Sequence, residues 1–195
     1  MNQDELIQNL RRRAEDPRTR TDYSDRSRPD LAPPAPAEAV LAAEEVFGFP
    51  LHPLHRRLLT EVGNGGFGPG DGLIGLPGGR LDEDGRSLVD LWCSLWTDAQ
   101  TAGLPSPVVP LCDWGDAIWS CVDARSGHVL TLTESGLTDT GRQLDSWLAD
   151  WVSGVDLFGT MFTLEQRTII NPFTKQTMTV ESPAKAVGTP YEVRR

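Results

Sequence analysis

The stretch "TEVGNGGFGPGDGLIGLPGG", residues 60–79, decides the fold, because Gly63, Gly65 and Gly68 spell a literal GxGxxG. In a dinucleotide-binding α/β protein that pattern follows a strand and opens directly into a helix whose N-terminus holds the pyrophosphate. Here the order is reversed. The preceding "PLHRRLLTEV" places Leu54, Leu58, Leu59 and Val62 at helical spacing, with Pro53 suited to a first helical position. What leaves the glycines, "PGDGLIGLPGG", holds too many Gly and Pro to be a helix. No glycine precedes Lys and then Ser or Thr, so a Walker loop is excluded too. The sequence therefore predicts no cofactor, and no site for NAD, FAD, ATP or GTP. The glycines read instead as a left-handed cap at Gly63 and a turn at Asn64, Gly65 and Gly66 that returns Phe67 to the core. Residues 73–76 are expected to form a short strand.

Working outward, "AEAVLAAEEVFG" (37–48) is a good helix former closed by Gly48. "SLVDLWCSLWTDA" has Ser87 as N-cap, Asp90 three residues on, and Leu88, Leu91, Trp92, Leu95 and Trp96 on one stripe. The period then changes. "VVPLCDW", "AIWSCVD" and "HVLTLTE" are short β-rich runs, the last two joined by a "DARSG" turn. Thr140 and Gln143 read as a capping box for a helix over "GRQLDSWLADWVSG", with Leu144, Trp147, Leu148, Trp151 and Val152 on one face. "EQRTIINPFTKQTMTVE" reads as a hairpin before a ragged tail. The class that follows is α+β, a small antiparallel or mixed sheet packed by helices. Residues 1–36 are expected to be a short helix, needing a surface to lie on, and a Pro- and Arg-rich linker. Residues 37–158 form the domain, and 159–195 a hairpin extension and tail.

A chain of 195 residues, 38% hydrophobic and with six tryptophans, can bury a sizeable core. No apolar run approaches the roughly eighteen residues that cross a bilayer, and the N-terminus lacks the apolar block of a secretory signal. A cytoplasmic protein is expected. The net charge of −10 is concentrated: residues 37–158 hold six basic against eighteen acidic groups, a net of −12, while 159–195 hold five basic and three acidic. Such a field repels nucleic acid and anionic lipid and steers basic partners inward.

Candidates for chemistry are few. His52 and His55 could face one way on a helix, but no third ligand accompanies them, so no metal site is expected. Cys93, Cys112 and Cys121 share no CxxC spacing and read as buried thiols. A triad of Cys112, His128 and Asp113 can be drawn on paper, and would make a small hydrolase, but only geometry could support it. Asp113 and Asp116 lie in "LCDWGDAIWSC" at the mouth of a hairpin, where carboxylates accept backbone hydrogen bonds. "LDEDG" is an exposed acidic turn too short for a calcium loop.

The succession "LAAEEVFGFPLHPLHRRLLTEVGNGGFGP", "GLIGLPGG", "VVPLCDWGDAIWSCVDARSGHVLTL" and "LDSWLADWVSG" resembles the SMI1/KNR4 family, of the SUKH superfamily, over about residues 38–158. The resemblance implies an α+β fold with no catalytic residues to carry over. It also implies a protein-binding role: bacterial members are immunity proteins that neutralise toxins, many of them nucleases or deaminases, and fungal relatives act in cell-wall regulation. The expectation is an immunity protein that docks on a basic toxin domain. The competing expectation is a regulatory or scaffold module bound to a host enzyme. The residues expected to meet the partner are the loop carboxylates Asp71, Asp82, Glu83, Asp84, Asp113 and Asp116.

Overall fold

The computed structural model describes residues 2–16, 31–97 and 107–191. The linker expected over 16–36 falls, for residues 17–30, outside the described residues, as does the side chain of Trp96. Helix α1 (Gln3–Glu15) is capped by the Asn2 side chain, which accepts from the Glu5 amide at 2.9 Å. Thirteen residues would be marginal alone. Leu6, Ile7 and Leu10 are buried in the same core as the rest of the chain, each worth roughly 1.5–3 kcal/mol on burial. The Arg13 guanidinium lies 4.6 Å from the Trp151 ring centre, and Arg57 pairs with Asp4 at 2.8 Å.

Helix α2 (Ala37–Phe47) ends at Gly48 with φ 77°, as its sequence predicts. Helix α3 (Pro53–Arg57) begins on Pro53 and widens into a π-helical turn, Leu58–Val62. That widening overturns one expectation. Gly63 has φ 178° and ψ 154°, extended backbone rather than a left-handed cap, and its amide reaches back to the Leu58 carbonyl. A glycine is needed there for another reason: a Cβ would sit 2.7 Å from the Leu31 side chain and 2.8 Å from the Ala32 carbonyl.

Helix α4 (Leu88–Thr97) carries the expected capping box, the Ser87 amide donating to Asp90 at 3.1 Å and the Asp90 amide to the Ser87 hydroxyl at 3.3 Å. Its indole Trp92 donates to the Val108 carbonyl at 3.0 Å and so pins the helix to the sheet. Strands β1 (Val108–Asp113), β2 (Trp119–Asp123), β3 (His128–Thr133) and β4 (Gly136–Gln143) form an antiparallel meander in that order. Every residue of β2 is buried, so both faces are covered. Helix α5 (Leu144–Val152) lays Leu144, Trp147, Leu148 and Trp151 into the core. The fold class is thus α+β, with antiparallel sheets.

Strand β4 corrects a second expectation. The Thr140 hydroxyl does not cap a helix; it donates to the Val129 carbonyl at 2.7 Å, within a strand bulge. Gln143 stands at the N-cap of α5 without a side-chain bond. The sheet pairing of 136–143 with β3 outcompetes the local signal. Helix α6 (Leu157–Met161) leads into the hairpin of β5 (Phe162–Ile170) and β6 (Thr177–Ala186). The tail is not ragged at first: β7 (Thr189–Pro190) joins the edge of β4, and the Tyr191 hydroxyl donates to Asp123 at 3.0 Å. No helix among the described residues is long and apolar enough to cross a membrane.

Candidate functional site: an acidic crevice beside the glycine loop

The glycine loop is shaped around one buried amide. The Asn64 side chain accepts from the Leu76 amide at 2.8 Å and donates to the Leu76 carbonyl at 3.3 Å, while its main-chain carbonyl accepts from the Arg80 amide at 2.8 Å. The loop therefore folds back on itself across twelve residues. Gly65, at φ 82°, is required twice over, by its left-handed backbone and because a Cβ would meet the Leu73 carbonyl and the Gly75 amide at 2.6 Å. The expected strand over 73–76 does not form. The Ile74 amide bonds the bulged Leu111 of β1 at 2.9 Å, but the Leu73 and Gly75 amides turn to Phe67 and Arg80. The loop closes over the outer edge of β1 without extending its ladder, which shields that edge from pairing.

This path brings distant carboxylates together. The Asp71 amide donates to the Asp113 carbonyl at 3.0 Å, and Gly70 passes so close to that carbonyl that a Cβ there would overlap it. Asp71, Asp82, Glu83 and Asp113 line one crevice with Arg80 and Leu81. Its enclosed volume is about 10 Å³, about one water, far below the ~300–1,000 Å³ of small-molecule sites. Burial, reinforced by the charges of Asp71 and Glu83 and opposed by the Gly115 amide, pushes the Asp113 carboxyl above its ordinary value.

The six acidic residues play unequal parts. The Asp82 side chain is 1% exposed and accepts from the Asp84 and Arg86 amides, with the Arg86 guanidinium at 2.8 Å. It builds the turn rather than facing solvent. Asp84, 73% exposed, lies beside Arg86 at 2.8 Å. Asp116 is exposed on the β1–β2 turn, where it and Ala117 take positive φ of 51° and 59°. Such left-handed non-glycine backbone costs about 1–2 kcal/mol per residue and concentrates at functional turns. Neither Asp84 nor Asp116 lines the crevice; both flank it. Sequence reading missed Arg80 and Leu81, whose place depends on the Asn64 bonds and had no local signal.

The remaining candidates do not converge. Cys112 is paired with Ser120, which is paired with Thr131. His128 lies one strand beyond β2 and three residues further along, roughly 14 Å from Cys112, and its Nδ1 pairs with Asp139 at 2.8 Å. No triad forms. Burial pushes the Cys121 thiol up, away from nucleophilic thiolate, with Cys112 beside it. Cys112 and Cys121 are buried as expected, but Cys93 is half-exposed. His55 is fully enclosed, neither ring nitrogen meets a protein partner, and burial, with His52 nearby, brings its pKa down to about 3. Among the described residues no three His, Cys, Asp or Glu side chains group as a metal site requires.

A family model described as SMI1-KNR4 cell-wall matches residues 3–153. The match runs from α1 to the end of α5 and contains the crevice. No curated protein and no solved structure matches.

Proposed function

The chain belongs to the SMI1-KNR4 family, and from that premise we propose that it is a non-catalytic, cytoplasmic protein-binding module whose acidic crevice docks a basic partner. The partner is a toxin domain of the nuclease or deaminase class, which the chain neutralises by covering it. The observation that carries this reading is the convergence of Asp71 of the glycine loop, Glu83 of the following turn and Asp113 at the end of β1, with the Asp113 carboxyl raised by burial and by its two neighbours. An arriving cation complements the negative charge gathered there, as complementary interfaces achieve. Asp84 and Asp116 extend the negative field that steers the encounter, and Asp82 holds the loop in shape.

Two affinity purifications from the native cells, run side by side, test it. One uses the parent chain and the other a variant with Asp71→Asn, Glu83→Gln, Asp84→Asn, Asp113→Asn and Asp116→Asn. The expected result is a basic nuclease or deaminase held by the parent and lost from the variant. A host enzyme behaving the same way would favour the regulatory reading. Equal capture by both baits would contradict docking at the crevice.

A further inference from the structure

The hairpin of β5 and β6 is held at both ends. Phe162 is buried at its base, where the Val187 amide donates to the Met161 carbonyl at 2.8 Å, and at its tip the Asn171 side chain accepts from the Phe173 and Thr174 amides at 2.9 and 3.0 Å. A two-stranded ribbon is still marginal in water, where three or more strands are the usual requirement. Among the described residues no further strand pairs with either edge of this one. From Thr163 to Ile170 every residue of β5 is exposed, Leu164 at 49% and Ile170 at 67%.

The two edges differ. The Asn171 amide donates to the Gln176 carbonyl at 2.8 Å, so Asn171 directs its main-chain groups across the hairpin. Those groups alternate sides along an antiparallel strand, and the pairing is continuous from Ile170 back to Leu164. The amides and carbonyls of Leu164, Gln166, Thr168 and Ile170 therefore point away from β6, and β5 contains no proline to interrupt them. On β6 the residue opposite Leu164 is Pro183, which has no amide hydrogen to offer the outer edge. A proline so placed protects an edge from pairing. The edge of β5 has no such protection.

That edge is also self-complementary. A two-fold axis makes one residue of the strand face its own copy. Facing at Glu165 or at Arg167 would set like charges directly opposite, which is destabilising. Facing at Leu164 or Thr168 would leave nearly half of the strand unpaired. Facing at Gln166, the middle residue of Phe162–Ile170, pairs the strand over its whole length and sets Glu165 opposite Arg167 of the other copy, twice. Both are positions without ladder hydrogen bonds, where facing side chains stand closest. Within one chain Glu165 and Arg167 are 3.9 Å apart and 63% and 60% exposed, so each has room for a second partner.

We propose that the occupant of the β5 edge is a second copy of this chain, paired antiparallel with Gln166 on the two-fold axis. Two marginal ribbons become one four-stranded sheet, with Leu164 opposite Thr168 and Ile169 opposite Thr163 of the other copy. One strand pair buries an area at the low end of protein interfaces, so the dimer is a reversible one. The crevice carboxylates take no part, and the dimer and the partner-binding reading stand or fall separately.

Sedimentation velocity on the full chain from about 10 to 500 µM tests the proposal. The expected result is a concentration-dependent dimer that dissociates at least tenfold more readily in Gln166→Pro, which removes an outward amide and none that bonds β6; unchanged circular dichroism confirms folding. Glu165→Arg, which sets arginines opposite each other at both positions, should weaken the dimer as much, and adding Arg167→Glu should restore it. A parent that is monomeric throughout overturns the proposal and leaves the edge to a different protein. A dimer indifferent to Gln166→Pro, or a charge swap that restores nothing, also overturns it, because the copies would then meet elsewhere or in another register.

Discussion

The main-chain amide of Asp71 donates to the main-chain carbonyl of Asp113 at 3.0 Å, so two carboxylates forty-two positions apart are joined by backbone, not by any attraction between their side chains. Neutral backbone bonds hold like charges in place.

Asp113→Asn should raise the melting temperature at pH 7. Because the folded carboxyl titrates above its unfolded value, its ionised form destabilises the fold, and the penalty fades as pH falls through the folded pKa toward the ordinary value near 3.8. The gain from Asn should therefore be present at neutral pH and vanish below pH 4. Asn keeps the acceptor for the Gly115 amide, 2.8 Å away. Thermal melts of both proteins from pH 3 to 8 check it; an advantage that grows toward low pH would be the wrong sign. The same substitution should weaken partner binding, a trade of function for stability.

Asn64→Ala should cost about 2–4 kcal/mol, because it strands the buried Leu76 amide and carbonyl. Asn64→Asp keeps the acceptor for the amide but loses the donor to the carbonyl, so it too should be destabilising. Urea unfolding at pH 7 measures both. If Asn64→Ala melts like the parent, the loop is not built around this side chain.

His55 sets a limit in acid. Its folded pKa of about 3 lies below the unfolded 6.5, so the unfolded chain binds a proton that the native state refuses. The resulting loss begins as pH falls through 6.5, reaches roughly 3 kcal/mol at pH 4, and levels off near pH 3. His55→Leu should be at least as stable as the parent at pH 7 and should flatten this slope. Parallel slopes for the two proteins would show that the imidazole titrates normally when folded.

Much of the fold is legible in local chemistry. The Ser87 and Asp90 box, Pro53 at a helix start, and the β-rich runs of β1 to β3 each carry their signal within a few residues. The errors fall where a distant partner outbids a local motif. Thr140 and Gln143 spell a capping box, yet β3 supplies a carbonyl that the Thr140 hydroxyl takes instead. Gly63 spells a cap, yet the close approach of Leu31 and Ala32 is what requires it. The site was half legible. Acidic loops can be read from composition, but the burial of Asp82 under Arg86 and the convergence of Asp71 on Asp113 depend on the path set by Asn64.

The central claim, that the crevice captures a basic protein by charge, is tested most directly by the association rate of the chain with the protein it retains from its own cells. Stopped-flow traces from 20 to 500 mM salt, for the parent and the five-site neutralised variant, supply it. The account predicts a parent rate that falls at least tenfold across that range, and a variant that starts slower and changes little. Identical rates and identical salt slopes for the two proteins would contradict it and move recognition away from the crevice.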